Sequence, residues 1–188
     1  MFFTFIIFLL SSLDVTAWAL HPRQSEEEFS LYAYGDGFSG FKVVYDNDLA
    51  YLIDPNIASD LNTTTVTFTV SNSVLTAHVA VNSTAFVDGT FFVPIEENDL
   101  SHQAGFLNPE RSVNSTDNIA LSGWLFYGHV LALNTEETSW ENLFSACETE
   151  TDGLFTLNWE VSGELEENSC TFVTLKNTTP TVITRVRK

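Results

Sequence analysis

The sequence predicts an all-β domain: a single antiparallel β-sandwich, with a β-barrel as the alternative, and one disulfide. Three observations predict it. Apolar residues recur at every second position in many short runs, as half-buried strands require. Gly, Asp, Asn and Ser separate the runs at turn spacing. Some eleven such runs follow one another with little helical patterning, which points to two packed sheets or one closed sheet. The chain has 188 residues, 13% of them aromatic with 16 Phe, enough for one domain with a core built from large rings.

Phe29–Asp54 reads as a three-strand meander. Phe29, Leu31 and Ala33 form one apolar face, then Phe41, Val43 and Tyr45, then Leu49, Tyr51 and Ile53. Gly35 to Gly40 and Asp46-Asn47-Asp48 supply the turns. Thr65–Val70 places Val66, Phe68 and Val70 inside and threonines outside; it turns at Ser71-Asn72-Ser73, and Val74–Val81 returns with Leu75, Ala77 and Val79 inward. Asp88-Gly89 is a turn signal before Phe91–Ile95, where Pro94 marks an edge or an end. A short strand is expected near His102–Leu107.

Leu121–Leu133 reads as one long strand or as two kinked at Gly128, and Thr135–Asn142 is the best helix candidate. Leu143–Cys147, Leu154–Val161 and Cys170–Lys176 complete the domain, which spans 29–176. Ahead of it, residues 1–19 read as a signal peptide ending in Ala17-Trp18-Ala19, and residues 20–28 as an acidic leader. Residues 177–188 form a Thr/Pro-rich tail that ends basic.

Cys147 and Cys170 are the only cysteines, so a disulfide in a secreted chain has one possible pairing. The sequons at Asn62, Asn82, Asn114 and Asn177 agree with an extracellular location and with N-glycosylation. The net charge is −18, and residues 20–180 hold only four of the seven bases. A phosphate backbone or an anionic membrane would be repelled, so neither nucleic acid nor, after signal cleavage, a membrane is an expected partner.

Leu31-Tyr32-Ala33-Tyr34-Gly35, the Tyr45…Leu49-Ala50-Tyr51 hairpin, Gly123-Trp124-Leu125-Phe126-Tyr127-Gly128, Asn142-Leu143-Phe144-Ser145-Ala146 and Gly153-Leu154-Phe155 ahead of Trp159 carry a resemblance. The chain resembles a group of small secreted proteins of filamentous fungi, of uncharacterised function. The resemblance implies a fungal secreted protein and no particular chemistry.

No catalytic set, metal site or cofactor is expected. Gly37-Phe38-Ser39-Gly40 misses the nucleophile elbow, because Phe41 stands where its last Gly belongs. The four histidines lack metal-ligand spacing. His78 is expected to be exposed and His129 satisfied or partly buried. Asp36, Asp46 and Asp48 are the weak candidates for an oxygen-rich cation site. Glu160, sharing a strand face with Asn158, is the carboxylate a glycosidase would draw on. Trp124 and Trp159 alternate with aliphatics and belong inside, whereas Trp140 lies in a polar stretch and is the better platform for a ligand, with Tyr34 and Asp36 as further ligand candidates. The expected role is a non-catalytic binding protein acting outside the cell on a glycan, cell-wall material or a protein. The alternatives are a carboxylate-based glycan hydrolase or lyase, and a structural protein without a small ligand.

Overall fold

The computed structural model describes residues 27–57, 63–79, 88–95, 102–108, 118–134, 140–160 and 169–181. The expected signal peptide and three sequons, Asn62, Asn82 and Asn114, lie outside them. The described residues form thirteen strands: β1 (Tyr32–Gly35), β2 (Phe38–Asp46), β3 (Leu49–Ile53), β4 (Thr64–Ser71), β5 (Val74–Val79), β6 (Asp88–Pro94), β7 (Gly105–Leu107), β8 (Ile119–Ala120), β9 (Trp124–Tyr127), β10 (Val130–Leu133), β11 (Phe144–Glu148), β12 (Leu154–Trp159) and β13 (Cys170–Lys176).

The architecture is a closed barrel and not the expected sandwich. Hydrogen bonding runs β1–β2–β4–β5–β6–β7–β3–β12–β11–β13 and returns to β1, where Tyr32–Gly35 pairs antiparallel with Val173–Lys176. Ten strands thus close on themselves, and closure removes the open edges that each sheet of a sandwich would keep. The β2–β3 hairpin also pairs within itself, Lys42–Asp46 against Leu49–Ile53. Its strands serve both halves of the ring: β2 pairs with β1 and then β4, and β3 with β12 and then β7. Outside the ring, β10 and β9 extend from β13, and β8 pairs with β6.

The predicted inward faces of β2, β4 and β5 are those observed, and β3 faces the other way. Ala50 and Leu52 join the core cluster, whereas of the predicted residues Leu49 and Tyr51 are only half-buried and Ile53, though buried, lies outside that cluster. The reason is the turn. Asn47 and Asp48 both take positive φ, 49° and 69°, and form a two-residue loop that pairs Asp46 with Leu49 and Tyr45 with Ala50. Since directly opposed residues share a face, Ala50 follows Tyr45 inward.

Other boundaries also differ. Asp88-Gly89 is strand, not turn, because Asp88 pairs with His78 and Gly89 with Ala77. Leu121–Leu133 is broken at Gly128 by a full reversal, pairing Tyr127 with Val130. Of the helix candidate, residues 135–139 lie outside the described ones, and Glu141 bridges Leu133 in extended form.

A bulge lengthens β2. Ala33 pairs with Phe41 and Tyr34 with Ser39, leaving Gly40 unopposed at a φ of 93°. The extra residue turns Phe38 and Phe41 to the same face, where their rings meet at 4.8 Å. A Cβ on Gly40 would also stand 2.5 Å from Pro180, since residues 177–181 lie against the barrel. Gly40→Ala is expected to lower stability by about 2 kcal/mol in denaturant unfolding, through left-handed backbone strain plus the clash. Adding Pro180→Ala should recover only the clash; full recovery would show that the backbone is not strained.

The interior is one aromatic cluster. Phe68, Phe91, Phe106, Trp124, Phe144 and Trp159 are all fully or almost fully buried. Their rings form a continuous series, with Phe91–Trp124 centroids at 5.3 Å and Phe144–Trp159 at 4.9 Å. Cys147 and Cys170 stand directly opposite each other on β11 and β13 and are bonded, as the pairing argument requires.

Candidate functional site

The acidic candidates do not converge. Asp36 lies in the β1–β2 turn, and Asp46 and Asp48 lie at the β2–β3 turn, at opposite ends of the nine-residue β2. At about 3.3 Å per residue this separates them by some 25 Å or more. Asp48 accepts a hydrogen bond from Tyr45 Oη (2.9 Å) and Asp46 one from Asn47 Nδ2 (3.0 Å). Among the described residues no three His, Cys, Asp or Glu side chains are grouped to hold a metal ion.

Glu160 is 3% exposed, so its carboxyl group is not presented to a polymer in solvent. Ser145, fully buried, donates its hydroxyl to Glu160 Oε1. Asn158 sits alongside, with Nδ2 3.4 Å from Cys147 Sγ. Ser145 pairs directly with Asn158, so these groups form a polar seam on the side of β11 and β12 opposite the ring cluster. The seam braces the disulfide.

Thr69, His78 and Asp88 form a hydrogen-bonded relay that the sequence did not announce, since they sit on three different strands. Thr69 Oγ1 is 2.9 Å from His78 Nε2, and His78 Nδ1 is 2.5 Å from Asp88 Oδ1. The order matches hydroxyl, base and orienting acid. What it lacks is a pair of free backbone donors for an oxyanion. Thr69 is in the β4–β5 ladder, and the neighbouring Phe68 N–H is given to Phe29 O. The three side chains tie β4, β5 and β6 to one another. Ser39 likewise lies at a strand-to-strand hairpin and not at the strand-to-helix turn a nucleophile elbow needs.

Each aromatic candidate meets a residue of the outer face, Trp140 at Tyr127 and Tyr34 at Lys176. Trp140 is 54% exposed, and its ring centroid is 5.2 Å from that of Tyr127, itself 68% exposed. Trp124 and Trp159 are buried, as their alternation with aliphatics indicated. Tyr127 begins a row of directly opposed residues that crosses five strands of the outer face: Tyr127 (β9), Val130 (β10), Lys176 (β13), Tyr32 (β1) and Lys42 (β2). Their neighbours Leu31, Ala33, Val43, Leu131 and Leu175 have no exposure, so the row points away from the core. Tyr34, one step along β1 on the same face, lies under Lys176, whose Nζ is 5.0 Å from the ring centroid.

Tyr34 donates its hydroxyl to Thr178 O at 2.9 Å, and burial raises its pKa above the ordinary tyrosine value. Burial also pulls Lys42 below the ordinary lysine value. His129 is exposed in the β9–β10 turn, so of the two states expected it is satisfied and not partly buried. Its Nδ1 lies 3.0 Å from Oδ1 of Asn177, a half-buried sequon residue. Asp36 is exposed at the end of β1 and makes an acidic boundary to the row. The sequence singles out Trp140 and Tyr34 but not Tyr32, Lys42, Tyr127 and Lys176, which only strand register brings together.

Compared with protein-family models, curated proteins and solved structures, the chain matches none of them.

Proposed function

We propose that the protein is a non-catalytic binding protein of the extracellular space, and that its ligand is a saccharide seated on the outer face of the barrel. The observation that carries this reading is the ring pair Tyr127–Trp140, two large aromatics left in solvent by a fold that buries six others in one cluster. Exposed aromatic surface of this kind is the platform on which the apolar face of a sugar ring stacks. The Cys147–Cys170 disulfide is consistent with an oxidising compartment, and the apolar N-terminal run with a secretory route. The polar groups with catalytic geometry are buried, as Glu160 is, or committed to cross-strand bonds, as His78 is.

A glycan array probed with the purified protein tests the reading. Tyr127→Ala and Trp140→Ala should each weaken binding of the saccharides retained by the wild type by about tenfold, with the unfolding midpoint unmoved. An array blank for the wild type, or binding indifferent to both substitutions, would refute it.

A further inference from the structure

We infer that the saccharide is an acidic one: the row Lys42–Tyr32–Lys176 recognises sugar carboxylates, so the ligand carries uronic acid units. The inference rests on the saccharide reading and deepens it. Lys42 and Lys176 are the only lysine or arginine residues among the described ones, in a chain of net charge −18. They nevertheless stand side by side, each directly opposite Tyr32, one on either flank. Strand spacing puts their backbones about 10 Å apart with an aromatic ring between.

Among the described residues neither lysine has a carboxylate within ion-pair distance. Surface lysines of an acidic protein ordinarily find acids. These two lie along a strip of Tyr32, Tyr34, Val130 and Tyr127, apolar in body, with acids only at its margins: Asp36 past the end of β1, and Asp54 next to the Ile53 that stands opposite Lys42. Partial burial leaves Lys42 short of water, so an incoming anion replaces hydration that the fold has already removed.

The alternation of cation, ring and cation favours carboxylates over sulfates. A uronate chain offers separated single charges with an apolar sugar face between them. A polysulfate offers dense charge, which the acidic remainder of the protein repels and two cations cannot neutralise. Val130 and Tyr127 continue the row toward Trp140, so the charged and stacking ends form one surface.

Binding of an oligogalacturonate, its methyl ester and dextran sulfate, measured by calorimetry at physiological salt, tests the assignment. The oligogalacturonate should bind at least tenfold more tightly than the ester, and Lys42→Gln and Lys176→Gln should each cost about tenfold. Lys42→Arg and Lys176→Arg, which keep the charge, should retain most of the affinity and exclude a folding defect. Equal binding of acid and ester, sensitive only to Tyr127→Ala and Trp140→Ala, would overturn the carboxylate assignment and leave the saccharide reading intact. Dextran sulfate bound as tightly, with Tyr32→Ala without effect, would reduce the row to nonspecific polyanion capture and overturn it. No binding of any of the three, with a blank glycan array, would overturn both readings.

Discussion

Trp159→Ala is expected to lower the free energy of unfolding by about 4 kcal/mol, the largest effect of any single truncation considered for this barrel. Trp159 is 2% exposed at the end of β12 and stands opposite Phe144 of β11. Its ring meets Phe144 edge-on at 4.9 Å and Trp124 at 6.2 Å, and Trp124 in turn stacks on Phe144 at 6.2 Å. Removing it deletes one corner of a mutually supporting triangle of rings. The remaining two are held on separate strands, Phe144 on β11 of the closed ring and Trp124 on β9 of its extension, and cannot collapse into the space. The loss is therefore that of the transferred surface plus an unfilled cavity, with two aromatic pairs worth about 1 kcal/mol each. Against a total stability on the order of 5–15 kcal/mol, that is a large fraction. Urea unfolding should show a lower midpoint with an unchanged slope. Trp140→Ala, removing an equally large but exposed ring, should move the same midpoint by less than about 0.5 kcal/mol. A loss below about 1 kcal/mol for Trp159→Ala would mean that the ring cluster does not hold the barrel together.

Removing the disulfide should cost about 3 kcal/mol. Cys147 and Cys170 are 23 residues apart in sequence, and the crosslink restricts the unfolded chain by closing that loop. Cys147→Ala with Cys170→Ala is the suitable variant, because serine would place a new hydroxyl at the buried Cys147 position. The unfolding slope should rise, since an unfolded chain without the crosslink exposes more surface. An additional loss is expected on the folded side. Asn158 Nδ2 loses its sulfur contact in a place where Asn158 Oδ1 already has no partner. Equal midpoints for wild type and double variant would show that the β11–β13 ladder holds these residues without covalent help.

Much of the fold was legible locally. Alternation in Thr65–Val70 and in Val74–Val81 identified both strands, observed as Thr64–Ser71 and Val74–Val79, and their inward faces, because threonines mark the outer side. The last strand, Cys170–Lys176, was found with its observed ends. In Leu49–Ile53 every residue is apolar, so alternation could not choose a face, and the choice fell to the two-residue Asn47-Asp48 loop. The Gly40 bulge escaped notice for a related reason: one unopposed residue shifts the phase of a strand without changing its composition. The candidate site divides the same way. Trp140 stood out because its neighbours are polar, whereas Tyr127 was hidden in the most apolar stretch of the domain.

The sequence by itself determined an all-β chain, most of its turns, most of its inward side chains and the single possible cysteine pairing. Each depends on residues within a few positions of one another, or on there being no other partner. Tertiary structure alone decided that the sheet closes, because β1 and β13 meet across some 140 residues of chain and no local pattern encodes which edges find each other. The same closure puts Lys176 and Lys42 on either side of Tyr32. A cationic strip on an acidic protein is thus a product of strand register, set when the free energy of pairing the last open edges outweighs the entropy of bringing the two ends of the domain together.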